Sequence, residues 1–582
     1  MKQTQAETPA KPVRKFLPDN LVIDSWAGIS SFYEDLKNRV ILSASDLKQW
    51  LNDLSELNSV LSEDAGWRYI RSSCDTNDLV AKKAFDFFIQ EIQPRLAPYE
   101  NELNLKFLNS PFLHEFLDSV NPETAEAYRI YLRIIEKQVE IYRDANIPVF
   151  TELRTEEQNY STIAGEMTIE KNGEEITLQQ AANFLKDNRR DVREEVYLKI
   201  NQRRAKDRTV LDELFTKLVR LRHQAAAHAD FKNYRDYMFA SLGRFDYTAE
   251  DCFDFHSSIS KEIVPLVEKF EADRKIALHL DTLKPWDLDV DTSGKEPLKP
   301  FSGGTDLIEK TIQCFTDINP FLGNCISTMR SMNRVDLESR KGKAPGGYNY
   351  PLYETGVPFV FMNSANSLRD VITMVHEGGH AVHSFLTHPL EFVGFKDTPS
   401  EVSEFASMSM ELISMEHWNV FFPDKDELKR AKLHQLEKVI SVLPWIATID
   451  KFQHWVYTYP NHTTEERTKA WREISDSFEG TIVDYNGQQE FLDFAWQKQL
   501  HLYQVPFYYI EYGMAQLGAI AMWRNYKANP EKGLNQYLDA LRLGYTKSIG
   551  EIYKTAGVRF DFSQSYIREL AHFVKEQIEL IS

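Results

Sequence analysis

Apolar side chains recur along most of this chain at intervals of three and four, the spacing of one face of an α-helix. In "VLDELFTKLVRLRHQAAAHA" the stripe is Leu211, Leu214, Leu218 and Leu221. In "DVITMVHEGGHAVHSF", residues 370 to 385, it is Val371, Val375, Val382 and Phe385. Ser367 with Asp370 three residues on predicts a capping box that starts this second helix, and Pro389 stops it. The helical pattern breaks in three places. "EMTIEKNGEEITL" turns at Asn172-Gly173, which predicts a hairpin pairing Ile169 with Ile176 and Met167 with Leu178. The prolines and glycines of residues 283–304 exclude continuous helix. Residues 341–363, "KGKAPGGYNYPLYETGVPFVFMN", are rich in Gly and Pro and end in the β-prone run Phe359 to Met362. The expectation is a mainly α protein with small β elements.

At 582 residues the chain is long enough for two or more packed units, and 42% hydrophobic against 27% charged residues is ordinary globular composition. A formal net charge of −19 repels phosphate backbones and anionic lipid, so neither nucleic acid nor a membrane surface is an expected partner. Cys74, Cys252, Cys314 and Cys325 form no CxxC pair, which argues against both a disulfide framework and a thiolate zinc site. With no apolar leader in "MKQTQAETPAKPVRKF" and no long apolar run, the expected compartment is the cytoplasm. Residues 1–18 read as a flexible tail.

The 370–385 helix carries the chemistry. His376 and His380 stand one turn apart, so both imidazoles can reach one cation, with Glu377 beside them; this is the HExxH pattern of zinc peptidases. His383 is too far along the axis to join them and reads as a packed, hydrogen-bonded neighbour. Gly378 and Gly379 each cost a helix interior about 1 kcal/mol relative to alanine, which predicts that another backbone, substrate peptide or edge strand, passes close. Downstream, in "DTPSEVSEFASMSMEL", the spacing predicts Thr398 as N-cap, Pro399 as N1 and Glu401 occupied in its own capping box. Glu404 then points at the metal and completes a His, His, Glu set with one open position. Glu411, two turns on, either hydrogen-bonds a ligand or is solvated.

These motifs resemble the oligoendopeptidase F family, relatives of thimet oligopeptidase. The resemblance lies in "PFVFMN" with "VHEGGHAVHSF", in "VSEFASMSMEL", in "GRFDYTAED" at 243–251 and in "HLYQVPFYYIEY" at 501–512, and spans roughly residues 150–580. It implies two helical lobes enclosing a deep channel for short unfolded peptides, with small sheet elements near the zinc site. The division it implies is an N-terminal helical lobe with a hairpin at 19–200 and a catalytic domain at 201–582. It implies one zinc per chain on His376, His380 and Glu404, with Glu377 as general base. His501, Tyr508 and Tyr512 match the family's transition-state contacts, with Tyr509 held in reserve. By the same resemblance Gly346, Gly347 and Tyr348 belong to a mobile cover over bound peptide, and Phe359, Phe361 and Asn363 to an edge strand that pairs with it; a surface hairpin with no ligand is the alternative for the loop. The expected activity is zinc-dependent cleavage of internal peptide bonds. The rivals are a metallocarboxypeptidase or dipeptidyl carboxypeptidase on a similar scaffold, and a non-catalytic peptide-binding protein, against which Glu377 argues. The sequence leaves the oligomeric state open.

Overall fold

The computed structural model describes residues 12–581, so part of the expected N-terminal tail, residues 1–11, lies outside the described residues. The structure is about 69% helical, with two small sheets. The chain divides into two units, each assembled from three separate segments.

The first unit comprises Met1–Tyr142, Leu298–Lys432 and Ala515–Phe560. Its N-terminal core gathers Trp50, Leu57, Phe107 and Tyr128 around Phe392 and Phe395. It also contains a three-stranded sheet. We number the strands in chain order: β1 (Thr168–Lys171), β2 (Glu174–Thr177), β3 (Val335–Glu338), β4 (Tyr348–Tyr350) and β5 (Phe359–Ser364). The order in this sheet is β3-β5-β4, with β5 parallel to β3 and antiparallel to β4. The apolar run Phe359 to Met362 is buried throughout, as a strand flanked on both sides must be. The expectation of an edge strand there is therefore overturned: β5 is central, and β4 is an edge.

The second unit comprises Arg143–Pro297, Leu433–Met514 and Asp561–Ser582. It holds the β1-β2 hairpin, in which Ile169 pairs with Ile176 as the turn chemistry predicts. Asn172 and Gly173 both have positive φ, at 56° and 81°, the signature of a tight primed turn. Arg222, fully buried in this unit, donates to Tyr457 Oη at 2.8 Å and to the Leu502 carbonyl at 2.9 Å, and pairs with Glu157 at 3.0 Å. Among the described residues no helix is long and apolar enough to cross a membrane.

Candidate metal centre

The helix Leu368–Thr387 begins at the expected capping box: Ser367 N and Oγ both donate to Asp370 Oδ2 at 2.8 Å. Val371, Val375, Val382 and Phe385 are buried as the stripe requires. His383 packs inside, hydrogen-bonded to the Leu541 backbone, and its burial pushes its pKa down to about 3. The paired glycines explain how a second helix comes close. A Cβ on Gly379 would sit 2.7 Å from Ser407 Cα and 2.8 Å from the Ala406 carbonyl oxygen, and one on Gly378 would sit 2.6 Å from the Phe315 ring. A backbone does pass close, but it belongs to the helix Ser400–Ser414, not to a substrate or an edge strand.

That close helix carries Glu404. Its cap differs from the expected one: Pro399 is the N-cap and no side chain caps the helix, while Thr398 Oγ1 hydrogen-bonds Ser403 Oγ at 2.7 Å. Glu404 is singled out by geometry. Its Oε2 lies 3.4 Å from His376 Nε2 and 3.7 Å from His380 Nε2. Four ligands about 2.0–2.1 Å from one tetrahedral ion stand about 3.4 Å apart, so these three atoms already approximate one face of such a shell. Two neutral imidazoles and a carboxylate are also the donor set that leaves one position open at a zinc-type ion.

The partners behind the triangle fix it. Glu411 Oε1 lies 2.7 Å from His376 Nδ1, so the ring's other nitrogen faces Glu404. Ser407 Oγ donates to Glu404 Oε2 at 3.0 Å. Tyr537 Oη and Tyr553 Oη donate to the Ala406 and Glu401 carbonyls at 2.7 and 2.9 Å, pinning the helix. Burial lowers the His376 pKa, but the hydrogen bond it donates to Glu411 and the charge of Glu404 outweigh it and carry it up to about 10. Burial and the His376 charge hold His380 well below its ordinary value. Burial, reinforced by Glu404, pushes the Glu377 carboxyl up to about 7.

Glu377 also faces the edge strand. Asn349 of β4 donates from its side-chain amide to the Glu377 carbonyl at 3.4 Å, and its backbone hydrogen-bonds the Glu377 carboxyl. The candidate substrate residues fall in and beside this sheet. Phe359 and Phe361 are buried with Ile70 and Leu352, and Tyr348 stacks on Phe361 at 4.8 Å. Asn363 Nδ2 donates to the Ala344 and Gly346 carbonyls at 2.7 and 2.9 Å, tying the glycine-rich loop to β5. Gly346 takes a φ of 99° in open space, whereas a Cβ on Gly347 would sit 3.3 Å from the Phe361 carbonyl oxygen.

The remaining predicted residues form a separate group in the second unit. The His501 ring lies 4.8 Å from Tyr509, 5.8 Å from Tyr512 and 6.1 Å from Tyr508, and Tyr508 and Tyr512 are 5.3 Å apart. Gln499 Nε2 approaches His501 Nδ1 at 2.6 Å. The turn that presents the tyrosines is strained: Phe507 has a φ of 67°, with its N–H donated to Gln453 Oε1 at 2.6 Å. Arg244 clamps it, donating to the Phe507 carbonyl and pairing with Glu511 at 2.8 Å. The "GRFDYTAED" motif therefore supports the turn of "HLYQVPFYYIEY".

The family model described as peptidase family M3 matches residues 183–572, and one for the peptidase M3 N-terminal domain matches residues 22–142. The chain belongs to peptidase family M3. Oligopeptidase PepF of Bacillus subtilis is 22% identical over 394 residues, which is 66% of this chain and 57% of that protein. An oligoendopeptidase F homolog of Lactococcus lactis is 22% identical over 60% of this chain and 59% of that protein. The M3 chain thus spans less than two thirds of the length of these curated relatives. Among solved structures, a Pz peptidase A with an inhibitor matches with a TM-score of 0.89 at 25% identity, over 97% of this chain and 99% of that one. Oligoendopeptidase-F from Enterococcus faecium shares the fold, with a TM-score of 0.66 at 15% identity over 96% and 97% of the two chains.

The M3 N-terminal match covers residues in which the sequence alone offered no motif. Glu411 is the M3 chain's clearest addition to the predicted site. Its signal was a carboxylate seven residues after Glu404, hence on the same helix face, a spacing equally typical of a solvated residue.

Proposed function

We propose that the chain is a zinc-dependent endopeptidase that cleaves internal bonds of short, unfolded peptides. The observation that carries this is the triangle of His376, His380 and Glu404 with a buried, proton-accepting Glu377 next to it on the same helix. His376, His380 and Glu404 would hold the ion, which supplies Lewis acidity toward the scissile carbonyl and toward water. Glu377 takes the proton of the attacking water and returns it to the leaving amine. Burial raises the Glu377 carboxyl, which favours uptake of that proton. Glu411 holds the His376 ring with Nε2 available. The resemblance of "HLYQVPFYYIEY" assigns His501, Tyr508 and Tyr512 hydrogen-bond donation to the developing oxyanion. A cytoplasmic location goes with this reading, as does the division into 19–200 and 201–582.

The decisive variant is Glu377→Gln, which keeps the metal and the fold and loses peptide hydrolysis by several orders of magnitude, because an amide cannot accept the proton. Near-normal turnover overturns the mechanism. Digestion of a mixed peptide library, read by mass spectrometry, separates the rival: internal cuts support an endopeptidase, and stepwise loss from one end supports the carboxypeptidase or dipeptidyl carboxypeptidase.

A further inference from the structure

A second group of metal-ligating side chains lies inside the second unit, on helices that the proposed chemistry does not use. Cys252 and His256 are one turn apart on the helix Ala249–Glu262, and Asp450 and His454 are one turn apart on the helix Lys425–Thr458. All four are buried, and Cys252 and Asp450 have no exposed surface. Cys252, Asp450 and His454 each offer one ligand atom, all within 4.8 Å of one another. Two further observations point into the space they share. Asp450 Oδ2 accepts from His256 Nε2 at 2.8 Å, yet Asp450 Oδ1 has no hydrogen-bond partner. His454 Nδ1 also has no hydrogen-bond partner, while its Nε2 lies 3.2 Å from Asp450 Oδ2. The rings of Phe253 and Phe507 flank His454 at 4.9 and 5.4 Å and supply no polar atom to satisfy it.

Buried imidazoles and carboxylates are normally hydrogen-bonded, and a buried charge is normally paired or bound to a metal. We infer that Cys252, Asp450 and His454 form a buried metal site, distinct from the group His376, His380 and Glu404, that takes a divalent ion of the zinc class. The ligand chemistry selects the ion: thiolate with imidazole excludes calcium and magnesium, which prefer oxygen shells. Thiolate and carboxylate together neutralise a doubly charged ion in this apolar setting. His256, donating to Asp450 Oδ2, orients the carboxylate as the outer partner of a ligand does. The ion would cross-link two helices that are far apart in sequence, a structural role.

The test uses the full chain loaded with Zn²⁺ or with Co²⁺. Plasma mass spectrometry is expected to find two zinc ions per chain in the wild type, one in His380→Ala and one in Cys252→Ser. The peptidase centre contains no thiolate, so a sulfur-to-cobalt charge-transfer band in the near ultraviolet reports on the new site alone. That band is expected in the wild type and in His380→Ala, and is expected to vanish in Cys252→Ser. A cobalt-loaded wild type without the band overturns the inference and leaves His256, Asp450 and His454 as a metal-free ion cluster. A band that survives Cys252→Ser overturns it too. The wild-type spectrum decides even if the cysteine variant fails to fold, and loss of zinc from the peptidase centre would instead count against the proposed function.

Discussion

Replacing Gly379 with alanine tests whether the glycines exist to bring Glu404 to the histidines. The new methyl would meet Ser407 Cα at 2.7 Å, the Ala406 carbonyl oxygen at 2.8 Å and Met410 Cβ at 3.0 Å. Carbon atoms rest at about 3.5–4.0 Å, so the two helices must part by about 1 Å. Alanine improves helix propensity by up to about 1 kcal/mol, while overpacking of this kind costs about 1–3 kcal/mol. The obstacle is backbone and cannot rotate away, so the net effect is a loss of stability of up to about 2 kcal/mol. The sharper effect is on the ion. Glu404 lies one turn before Ser407 on the displaced helix, and a 1 Å shift spoils a triangle whose sides are 3.4 and 3.7 Å. Zinc affinity, measured by chelator competition, is expected to fall about tenfold or more, in the range seen when a ligand's support is removed. Gly378→Ala is the comparison: its methyl meets the buried Phe315 ring rather than the backbone of the Glu404 helix, so stability falls while metal affinity stays near the wild-type value. A Gly379→Ala protein with wild-type zinc affinity and an unchanged melting midpoint refutes the reasoning.

Three further outcomes are expected. Glu411→Ala frees the His376 ring and lowers zinc affinity about 10–100-fold while Glu404 stays in place, as read by the same competition. Zinc uptake at pH 7 releases protons, because the metal-free His376 has a pKa raised to about 10, stays charged at that pH and must lose its proton to bind; calorimetry in buffers of different ionisation enthalpy measures this, and zero net release contradicts the assignment. Tyr508→Phe and Tyr512→Phe are compared for kcat on one peptide: the donor to the oxyanion is the one whose loss costs about 10²–10³, and equal, near-wild-type values remove both from that role.

What was legible in the sequence was local. The capping box at Ser367, the His376 to His380 spacing and the Asn172-Gly173 turn each depend on residues within one or two turns, and each is present. The errors lie where a distant partner decides. Nothing near Gly379 indicates that its neighbour is Ser407, and nothing in the run Phe359 to Met362 states that strands lie on both sides of it. At Thr398 the cap rule gave way by one residue, because Thr398 Oγ1 is engaged with Ser403 instead. What favours Glu404 in the structure is its distance to His376 and His380, a long-range contact that the spacing of residues 398–404 does not contain.

The three-segment make-up of the first unit has a temporal side. The helices that carry the candidate metal ligands are complete by residue 414, but the tyrosines that pin the Glu404 helix, Tyr537 and Tyr553, belong to the last segment. On a ribosome adding about 5–20 residues per second, Tyr553 is made roughly seven to thirty seconds after Glu404. Throughout that interval the helix that will carry Glu404 lacks its final anchors, with Glu401, Glu404 and the two histidines already synthesised. The nascent chain thus displays the candidate zinc ligands before the two tyrosines that anchor the Glu404 helix have been made. A chain interrupted before Pro530 carries every candidate ligand in its sequence, with Ser407 and Glu411 beside them, and neither of the tyrosines that pin the Glu404 helix.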